Sequence, residues 1–558
     1  MRRESLATAE TRRPNMTDYE QTYHDFRWEV PDYYNFAVDT VGQWAGHPDL
    51  LALWTLAEDG AEYKATYAEL AARSDRVAAG LRALGVAPGD RVLVMLPRVP
   101  AWWEAFLALL KLGAVAMPGT VLLTPKDIHY RLESAEATVV ITDAAGAAKV
   151  DGAGYEGLRQ RVVVDGTRDG WTSYAEAAAC ADPFTPHRTR ADDPAMLYFT
   201  SGTTGYPKMV LHTHASYPIG HTVTGKYWLD LQPGDVLWNL SETGWAKAAW
   251  SSFFAPLSQG ATVFSQDARG KFDAPALLRM LEQYPVTTFC APPTAYRMLV
   301  LEDLSQFKPK ALRHCVGAGE PLNPEVIETW RAATGMTIRD GYGQTESVLI
   351  VGNFPPLEVK PGAMGRPSPG FVVDVIDEAG QPLPPGREGD IAVRVSPQRP
   401  VGLFQEYWRH PEATDAARRG DWYVTGDRAY RDEDGYLWFV GRADDVIISA
   451  GYRIGPFEVE SALVEHPAVA EAAVVAAPDP TRGEVVNAYV ILASGYAPSD
   501  ELARALQDFV KGATAPYKYP RRIVFVTELP KTISGKIRRI ELRERARQEA
   551  RETEGSSD

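Results

Sequence analysis

The sequence predicts an α/β protein, in which a large N-terminal domain of helix-covered parallel sheets precedes a smaller α+β C-terminal domain. From about residue 65 to 345, apolar runs rich in β-branched residues alternate with stretches whose apolar residues recur every three to four positions. That alternation is typical of parallel sheets covered by helices. Between about 355 and 440, Pro and Gly separate shorter strands, which predicts a β-rich subdomain. A compact mixture of strands and helices follows 441–445.

The individual elements follow from these patterns. The predicted buried strands of the N-terminal domain are 91–96, 138–143, 161–166, 195–200, 235–240, 261–265, 287–292 and 312–317, and residues 275–284 show helical spacing. The apolar stretch 101–123 contains Glu104, Lys111 and a Pro118-Gly119 break, so it predicts a buried helix running into a strand. In the C-terminal domain, strands are expected at 446–449, 472–477, 487–492 and 521–526, and helices at 456–465 and 499–511.

These elements give four segments. We expect an N-terminal tail over 1–30, an N-terminal domain over 31–441 with its β-rich subdomain at about 355–441, a C-terminal domain over 442–540, and a charged tail over 541–558. Translation could start at Met1 or at Met16.

Composition excludes several classes of protein. The 558 residues are 45% apolar, and 58 basic against 73 acidic residues give a net charge of −15. This is a globular composition without the basic field of a nucleic-acid binder, and no uninterrupted apolar span predicts integral membrane contact. Cys180, Cys290 and Cys315 show no C-x-x-C spacing and no apolar stretch follows the early Arg pairs, so a cytoplasmic protein with reduced thiols is expected. The oligomeric state does not follow.

The most informative segment is YFTSGTTGYPKMVLHTH at 198–214. A buried strand is predicted to enter a Gly-rich turn and then a helix. Glycines let successive backbone amides surround an anion, aided here by hydroxyls and by the charge of Lys208. The segment lacks the G-x-x-x-x-G-K-[ST] pattern of a Walker loop, and a flexible surface loop is the plain alternative. His212 and His214 would face different sides of a helix, which disfavours a zinc site.

At this point a family resemblance is clear. TSGTTGYPK resembles the phosphate-loop signature of the acyl-adenylating superfamily, which includes acyl-CoA synthetases, luciferases and peptide-synthetase adenylation domains. In the family's order follow GYGQTE (341–346), YVTGD (423–427), GRADDVIISAGYRIGPFEVE (441–460) and PKTISGKIRR (530–539). The segments 95–106, 117–120, 242–245, 482–486 and 515–526 resemble, more narrowly, the medium-chain acyl-CoA synthetases.

The resemblance implies a two-step, ATP- and Mg²⁺-dependent reaction. A small-molecule carboxylic acid, expected to be a medium-chain fatty acid, forms an acyl-adenylate with release of pyrophosphate, and coenzyme A then takes the acyl group and releases AMP. The resemblance also implies that the C-terminal domain is mobile and rotates between the steps. An enzyme that loads a carrier protein and a branched-chain or aryl-CoA ligase remain alternatives. A kinase or an ATPase is less favoured, since no Walker or kinase signature appears. A non-enzymatic nucleotide binder is less favoured because Lys536, Glu346 and Asp427 are all present.

Roles for individual residues also come from the resemblance. The implied catalytic residues are Lys536, Thr345 and Glu346, with Glu346 as the Mg²⁺ ligand. The implied ATP-binding residues are Thr200, Ser201, Gly202, Thr203, Thr204, Gly205, Lys208, Gly319, Glu320, Pro321, Asp340, Gly341, Tyr342, Gly343, Gln344, Thr345, Asp427, Arg442 and Lys536. Tyr342 would face the adenine ring, and Asp427 would accept hydrogen bonds from the ribose hydroxyls.

The remaining implied residues concern the acyl group and coenzyme A. The acyl pocket is expected to be bordered by Trp245, Gly317, Ala318 and Gly343. Acetyl-CoA synthetases carry Trp where Gly343 stands, so a deeper pocket is expected here. Asp444 is the implied hinge, and the coenzyme A contacts are expected at Ala450, Gly451, Tyr452, Arg453, Arg482, Lys511, Tyr519, Pro520 and Arg521.

Overall fold

The computed structural model describes residues 12–200, 207–268, 272–449, 452–479, 482–531 and 536–555. Its strands are β1 Leu51–Leu56, β2 Glu62–Thr66, β3 Arg91–Met95, β4 Val115–Pro118, β5 Val139–Thr142, β6 Gln160–Val163, β7 Thr172–Ser173, β8 Pro194–Thr200, β9 Lys208–Thr213, β10 Val236–Asn239, β11 Thr262–Gln266, β12 Thr288–Ala291, β13 His314–Ala318, β14 Ile338–Gly343, β15 Leu349–Gly352, β16 Ala363–Pro367, β17 Val373–Ile376, β18 Gly389–Arg394, β19 Glu406–Tyr407, β20 Arg418–Arg419, β21 Trp422–Arg431, β22 Leu437–Arg442, β23 Ile447–Ser449, β24 Tyr452–Ile454, β25 Val469–Asp479, β26 Gly483–Leu492 and β27 Arg522–Phe525.

The α-helices surround these strands. They are α1 Tyr19–Asp25, α2 Val41–Trp44, α3 Tyr67–Ala83, α4 Pro100–Leu112, α5 Pro125–Ala135, α6 Ala144–Ala153, α7 Tyr174–Ala178, α8 Gly220–Val223, α9 Ala246–Ala249, α10 Ala255–Ser258, α11 Ala274–Gln283, α12 Pro293–Leu299, α13 Pro324–Thr334, α14 Pro411–Ala416, α15 Pro456–Val464, α16 Asp500–Ala513 and α17 Arg539–Gly555. Among the helices of the described segments, none is long and apolar enough to cross a membrane.

Two sheets form the N-terminal domain. One runs β19-β9-β8-β4-β3-β5-β6-β7. Its neighbouring pairs β8–β4, β4–β3, β3–β5 and β5–β6 are parallel. The other runs β17-β18-β21-β22-β16-β15-β14-β13-β12-β10-β11-β1-β2, with its centre parallel. The β-rich subdomain is therefore not a separate sheet, because β16 pairs with β15 and so continues the parallel sheet. A third sheet, β24-β23-β26-β25 with β27 beside β26, forms the C-terminal domain. The predicted α/β fold class is confirmed.

Each of the eight predicted strands is present within three residues of its expected bounds. The apolar stretch at 101–123 forms α4 and then β4, and α4 is buried on all sides. α4 begins at a proline in its first turn and ends at Gly113, whose φ of 68° places it in the left-handed region that favours glycine. That break lets the chain turn directly into β4.

The segment after the Gly-rich turn differs from the prediction. We expected a helix after Pro207, but Lys208–Thr213 is β9, which pairs antiparallel with β8. Five consecutive residues of β9 are buried, so the strand shows an unbroken buried run instead of alternation. Such a short run does not distinguish a buried strand from a helix by periodicity. The described strands on either side of the Gly-rich segment therefore pair with each other.

The N-terminal segment is packed from its first described residues. Met16 is fully buried, and α1 begins after Asp18, whose side chain accepts a hydrogen bond from the Gln21 amide. Tyr19 Oη donates to the Pro367 carbonyl at 2.7 Å. Over residues 12–30 the expected tail is therefore an ordered part of the N-terminal domain.

The charged segment at the other end is also packed. α17 extends the C-terminal domain beyond residue 540, and its Leu542 and Ala546 are buried against Val475 and Tyr489 of the third sheet. Glu544, Arg545 and Arg547 are exposed, whereas Arg539 and Arg543 form ion pairs with acidic residues of the C-terminal domain.

Candidate active site

The predicted nucleotide segments meet at the ends of two neighbouring parallel strands. β13 and β14 pair with Gly317 opposite Asp340 and Ala318 opposite Gly341. The carboxyl ends of parallel strands lie at one sheet edge, which brings Gly319, Glu320 and Pro321 next to 341–346. Glu320 pairs there with Arg297, with 3.1 Å between Oε2 and Nη2.

A buried carboxylate organises the expected ribose region. Tyr342 Oη donates to Asp427 Oδ2 at 2.6 Å, and Gln344 Nε2 donates to the same oxygen at 2.7 Å. Burial raises the pKa of Asp427, while Arg442, these two donors and Lys536 lower it. Arg442 stands opposite Asp427 in the β21–β22 pairing. The expected adenine, ribose and hinge-proximal residues thus form one network.

Lys536 of the C-terminal domain lies at this network. Its side chain is exposed, yet its charge acts on both Asp427 and Lys247 of the N-terminal domain. Asn323 Nδ2 also donates to Ser461 Oγ at 3.2 Å across the two domains. The C-terminal domain therefore contacts the N-terminal domain with Lys536 close enough to influence Asp427 and Lys247.

The Thr345–Glu346 turn is bound by Tyr407, which belongs to the sheet that contains β8 and β9. Tyr407 Oη donates to Glu346 Oε1 at 2.8 Å, and the Lys208 ammonium lies 4.7 Å from the centre of the Tyr407 ring. Tyr407 belongs to β19, which pairs with β9. Burial raises the pKa of Glu346, whereas the bond from Tyr407 lowers it. Lys208 and Glu346, which are 138 positions apart in the sequence, are brought together in this way.

The region expected to be the acyl pocket contains a lysine that the sequence did not signal. Lys247 follows Trp245 by two positions, and its ammonium donates to the Ala318 carbonyl. Burial lowers the pKa of Lys247, opposed by Cys290, Glu320 and Asp340. Asp340 is itself buried, which raises its pKa to about 8. A lone lysine in an alanine-rich helix carries no recognisable signature, so only the fold identifies it.

The expected space beside Gly343 is filled. A Cβ at position 343 would lie 2.4 Å from Cη2 of Trp250 and 2.4 Å from the Val348 carbonyl oxygen. An indole from another part of the chain therefore packs directly against Gly343. At Gly317, in contrast, an added Cβ would meet no neighbouring atom closer than 3.7 Å.

The predicted hinge has partners that no sequence motif indicated. Arg543 Nη1 donates to the Asp444 carbonyl at 2.6 Å and to Asp445 Oδ1 at 2.8 Å. Arg442 Nε lies 3.4 Å from Asp444 Oδ1. Arg543 stands in the segment expected to be a tail, which is why its link to 443–445 could not be anticipated.

Several of the expected coenzyme A residues that are described make aromatic or cation–π contacts within the C-terminal domain. Tyr452 stacks on Tyr517 with 4.3 Å between ring centres. The Tyr519 ring has the Lys511 ammonium 4.4 Å and the Arg521 guanidinium 4.8 Å from its centre. Arg482 and Pro520 lie in the same domain, at the start of β26 and before β27.

Some predicted residues lie outside the described part of the chain. They are Ser201, Gly202, Thr203, Thr204, Gly205, Ala450 and Gly451, together with the side chain of Arg453. Thr200 is described, and its Oγ1 donates to the Lys208 carbonyl at 3.5 Å across the base of the hairpin.

Comparison with known protein families matches both domains. A model described as AMP-binding enzyme covers residues 41–408, and one described as AMP-binding enzyme C-terminal domain covers residues 458–536. The mouse protein named acyl-coenzyme A synthetase ACSM3, mitochondrial, is 50% identical over 544 residues, which are 95% of this chain and 94% of that protein. The human acyl-coenzyme A synthetase ACSM4, mitochondrial, is 49% identical over 529 residues, 92% and 91% of the two chains.

Solved structures agree with this assignment. The anthranilate CoA ligase AuaEII in complex with anthranoyl-AMP is similar with a TM-score of 0.86 and 32% identity, covering 93% of this chain and 99% of that one. A benzoate CoA ligase from Burkholderia xenovorans LB400 gives a TM-score of 0.81 and 33% identity, covering 91% and 100%.

The comparisons also correct one prediction and establish another. A cytoplasmic location was expected, but the mouse and human relatives are both named mitochondrial, which contradicts it. The suspected family is confirmed by the two domain matches and by identity along nearly the whole chain. The chain belongs to the AMP-binding enzyme family, as an AMP-forming acyl-coenzyme A synthetase.

Proposed function

We propose that this synthetase activates a medium-chain fatty acid, with Mg²⁺, in two steps that share one site. The observation that carries the proposal is the approach of Lys536 to the network of Tyr342, Asp427 and Arg442. Such a network suits a ribose, because a carboxylate can accept hydrogen bonds from two ribose hydroxyls. The lysine then faces the phosphate that follows the ribose.

In the first step the acid's carboxylate oxygen attacks the α-phosphorus of ATP, and the bond to pyrophosphate breaks. Negative charge grows on the α-phosphoryl oxygens, so fixed cations and amides near that atom lower the barrier. Lys536 and the phosphate hairpin with Lys208 are the groups we assign to this role. No side chain needs to act as a covalent nucleophile.

Glu346 is the residue we assign to Mg²⁺. A carboxylate oxygen is a ligand that this ion prefers, and the ion would neutralise phosphate charge in the first step. The Tyr407 hydroxyl fixes the Glu346 carboxylate through Oε1 and thereby orients it toward the hairpin side. Thr345 precedes it and is assigned to the phosphate or to the acid's carboxylate.

In the second step the coenzyme A thiol attacks the acyl carbon and AMP leaves. We assign the nucleotide end of coenzyme A to Lys511, Tyr519 and Arg521, because guanidinium and ammonium groups beside an aromatic ring suit a phosphorylated adenine nucleotide. Rotation of the C-terminal domain about Asp444 would remove Lys536 from the site and admit the coenzyme A thiol, since the two cannot both lie next to the acyl carbon at once.

Two acid classes have support. Relatives of the ACSM group at about half identity favour a fatty acid. The solved anthranilate and benzoate ligases, at 32% and 33% identity, favour an aryl acid as the second candidate. A buried Trp250 beside Gly343 limits the length of either.

One assay tests the reaction and the acid together. Purified protein is incubated with ATP, Mg²⁺ and one of acetate, butyrate, octanoate, dodecanoate, benzoate or isobutyrate, with and without coenzyme A. Release of AMP and pyrophosphate, with the largest kcat/KM for octanoate, is expected. Release of ADP would contradict the adenylating mechanism. A preference for benzoate would replace the fatty acid by the second candidate.

A further inference from the structure

The backbone carbonyl of Thr345 is bound by two buried side chains. His212 Nε2 lies 2.7 Å from this oxygen, and Tyr217 Oη donates to it at 3.1 Å. Both donors are fully buried, and their rings lie 3.6 Å apart, centre to centre. A carbonyl oxygen can accept two hydrogen bonds, so both of its acceptor positions are used.

The protonation state of His212 follows from its partners. A carbonyl only accepts, so Nε2 must carry the proton, and neutral His212 then accepts at Nδ1 from Ser216 Oγ, 3.0 Å away. Ser216 Oγ in turn accepts from the Thr213 amide at 2.9 Å. Burial lowers the pKa of His212 to about 3, so the ring stays neutral at any pH used for assays.

The two donors come from parts of the site with different tasks. His212 stands in β9, directly behind the phosphate hairpin. Tyr217 accepts a hydrogen bond from Trp250 Nε1 at 3.2 Å, and Trp250 is the indole packed beside Gly343. The Thr345 carbonyl therefore joins the phosphate hairpin to the wall of the expected acyl pocket.

The hydrogen bonds to the Thr345 carbonyl also restrain the backbone amide and Cα of Glu346. The peptide group is planar, so the Thr345 carbonyl, the Glu346 amide and the Glu346 Cα lie in one plane. The Glu346 carbonyl accepts from the Phe404 amide at 2.7 Å, and its carboxylate is bound by Tyr407. Glu346 is thus held on both sides of its Cα and at the end of its side chain.

We propose that His212 and Tyr217 are positioning residues that hold the Thr345–Glu346 peptide plane for adenylate formation. The inference rests on the proposed role of Glu346 in that step. Loss of either donor lets the peptide plane rotate, so that Glu346 and Thr345 spend less time in the reactive arrangement. Neither residue touches the reacting atoms.

The test compares two tyrosines that lose the same hydroxyl. Tyr217→Phe removes a donor to Thr345. Tyr198→Phe is the control, since Tyr198 is equally buried, its ring centre is 5.5 Å from that of Tyr217, and its hydroxyl has no hydrogen-bond partner in the described segments. Single-turnover rates are measured for adenylate formation from octanoate and ATP, and for thioester formation from preformed octanoyl-adenylate. The Mg²⁺ concentration for half-maximal adenylation is measured as well.

Tyr217→Phe is expected to slow adenylate formation by about 5- to 30-fold, as for loss of a hydrogen bond to a buried carbonyl. KM for octanoate should change less than twofold, the Mg²⁺ requirement should rise at least threefold, and thioester formation should stay within twofold. Tyr198→Phe should match the wild type in all four measurements. Equal rates for the two variants, or equal loss in both half-reactions, would overturn the proposal.

A second pair of variants decides the matter if Tyr217→Phe does not fold. His212→Gln keeps an N–H donor, whereas His212→Met fills similar space without one. The adenylation rate of His212→Gln should stay within about threefold of the wild-type rate, whereas that of His212→Met should fall about tenfold or more. Equal activity of the two would overturn the role of His212. Failure of the proposed function would be separate, because the wild type itself would then not release AMP.

Discussion

Gly343→Ala is expected to lower kcat/KM for short and long acids alike. The added Cβ would lie 2.4 Å from Trp250 Cη2 and 2.4 Å from the Val348 carbonyl oxygen, both well inside contact distance. Trp250 is 4% exposed and is held by its hydrogen bond to Tyr217, so it has little room to withdraw. Overpacking of this kind costs about 1–3 kcal/mol, equivalent to about 5- to 150-fold at 25 °C.

The assay is pyrophosphate release with acetate, butyrate and octanoate, at acid concentrations well below KM. The double variant Gly343→Ala with Trp250→Phe removes the clashing Cη2 atom. It should therefore be less impaired than the sum of the two single effects, with a coupling of about 1 kcal/mol or more. A loss confined to octanoate would show instead that residue 343 gates the depth of the pocket. Strict additivity would show that Trp250 does not touch it.

Three further predictions concern the moving domain and acid stability. Lys536→Ala should slow adenylation by about 10²- to 10³-fold and spare thioester formation from preformed adenylate; equal loss in both half-reactions would contradict its assignment. Arg543→Gln should change the ratio of the two half-reaction rates by about threefold or more, because it removes the hydrogen bonds to Asp444 and Asp445. The control Arg545→Gln, on the exposed side of the same helix, should leave that ratio unaltered. Burial lowers the pKa of His314 to about 3, so its contribution to stability is complete above about pH 6.5 and is lost as pH falls toward 3. Between pH 7 and 5 the unfolding free energy of His314→Asn should therefore fall about 2 kcal/mol less than that of the wild type, as measured in urea, and parallel pH curves would contradict this.

Much of the fold could be predicted because it rests on local patterns. The runs 92–96 and 139–141 consist of consecutive apolar residues, as is typical of strands buried on both faces. Residues 208–213 are also buried almost throughout, but a helix was predicted there, since so short a run without alternation does not distinguish a buried strand from a helix. The antiparallel partner that decides the matter, β8, lies across the turn.

The ordered N-terminal segment could not be predicted for a different reason. Its aromatic residues bind backbone carbonyls some 340 positions away, as Tyr19 does with Pro367. No local pattern announces a partner at that separation. The same holds for Arg543, whose hinge partners precede it by about 100 residues.

The site was partly predicted through sequence motifs. Tyr342 and Gln344 stand in one motif and Asp427 and Arg442 in two others, and the fold brings them into one network. The pocket depth stays a prediction, and it was made from one aligned position considered alone. The space that Gly343 leaves is filled by Trp250, 93 residues earlier in the chain, so the two positions have to be considered as a pair.

The short strand Glu406–Tyr407 has a consequence for recombination between relatives. It belongs to the chain segment of the β-rich subdomain, yet it pairs with β9 and forms the edge of the other sheet of the N-terminal domain. A chimera with a crossover between Glu346 and β19 would combine β9 and Glu346 of one parent with Tyr407 of another, so that Glu346 would lose its matched partner. Crossovers at 443–446 leave that edge intact and exchange only the third sheet. Among such enzymes, the whole C-terminal domain can therefore be exchanged more readily than a part of the N-terminal domain.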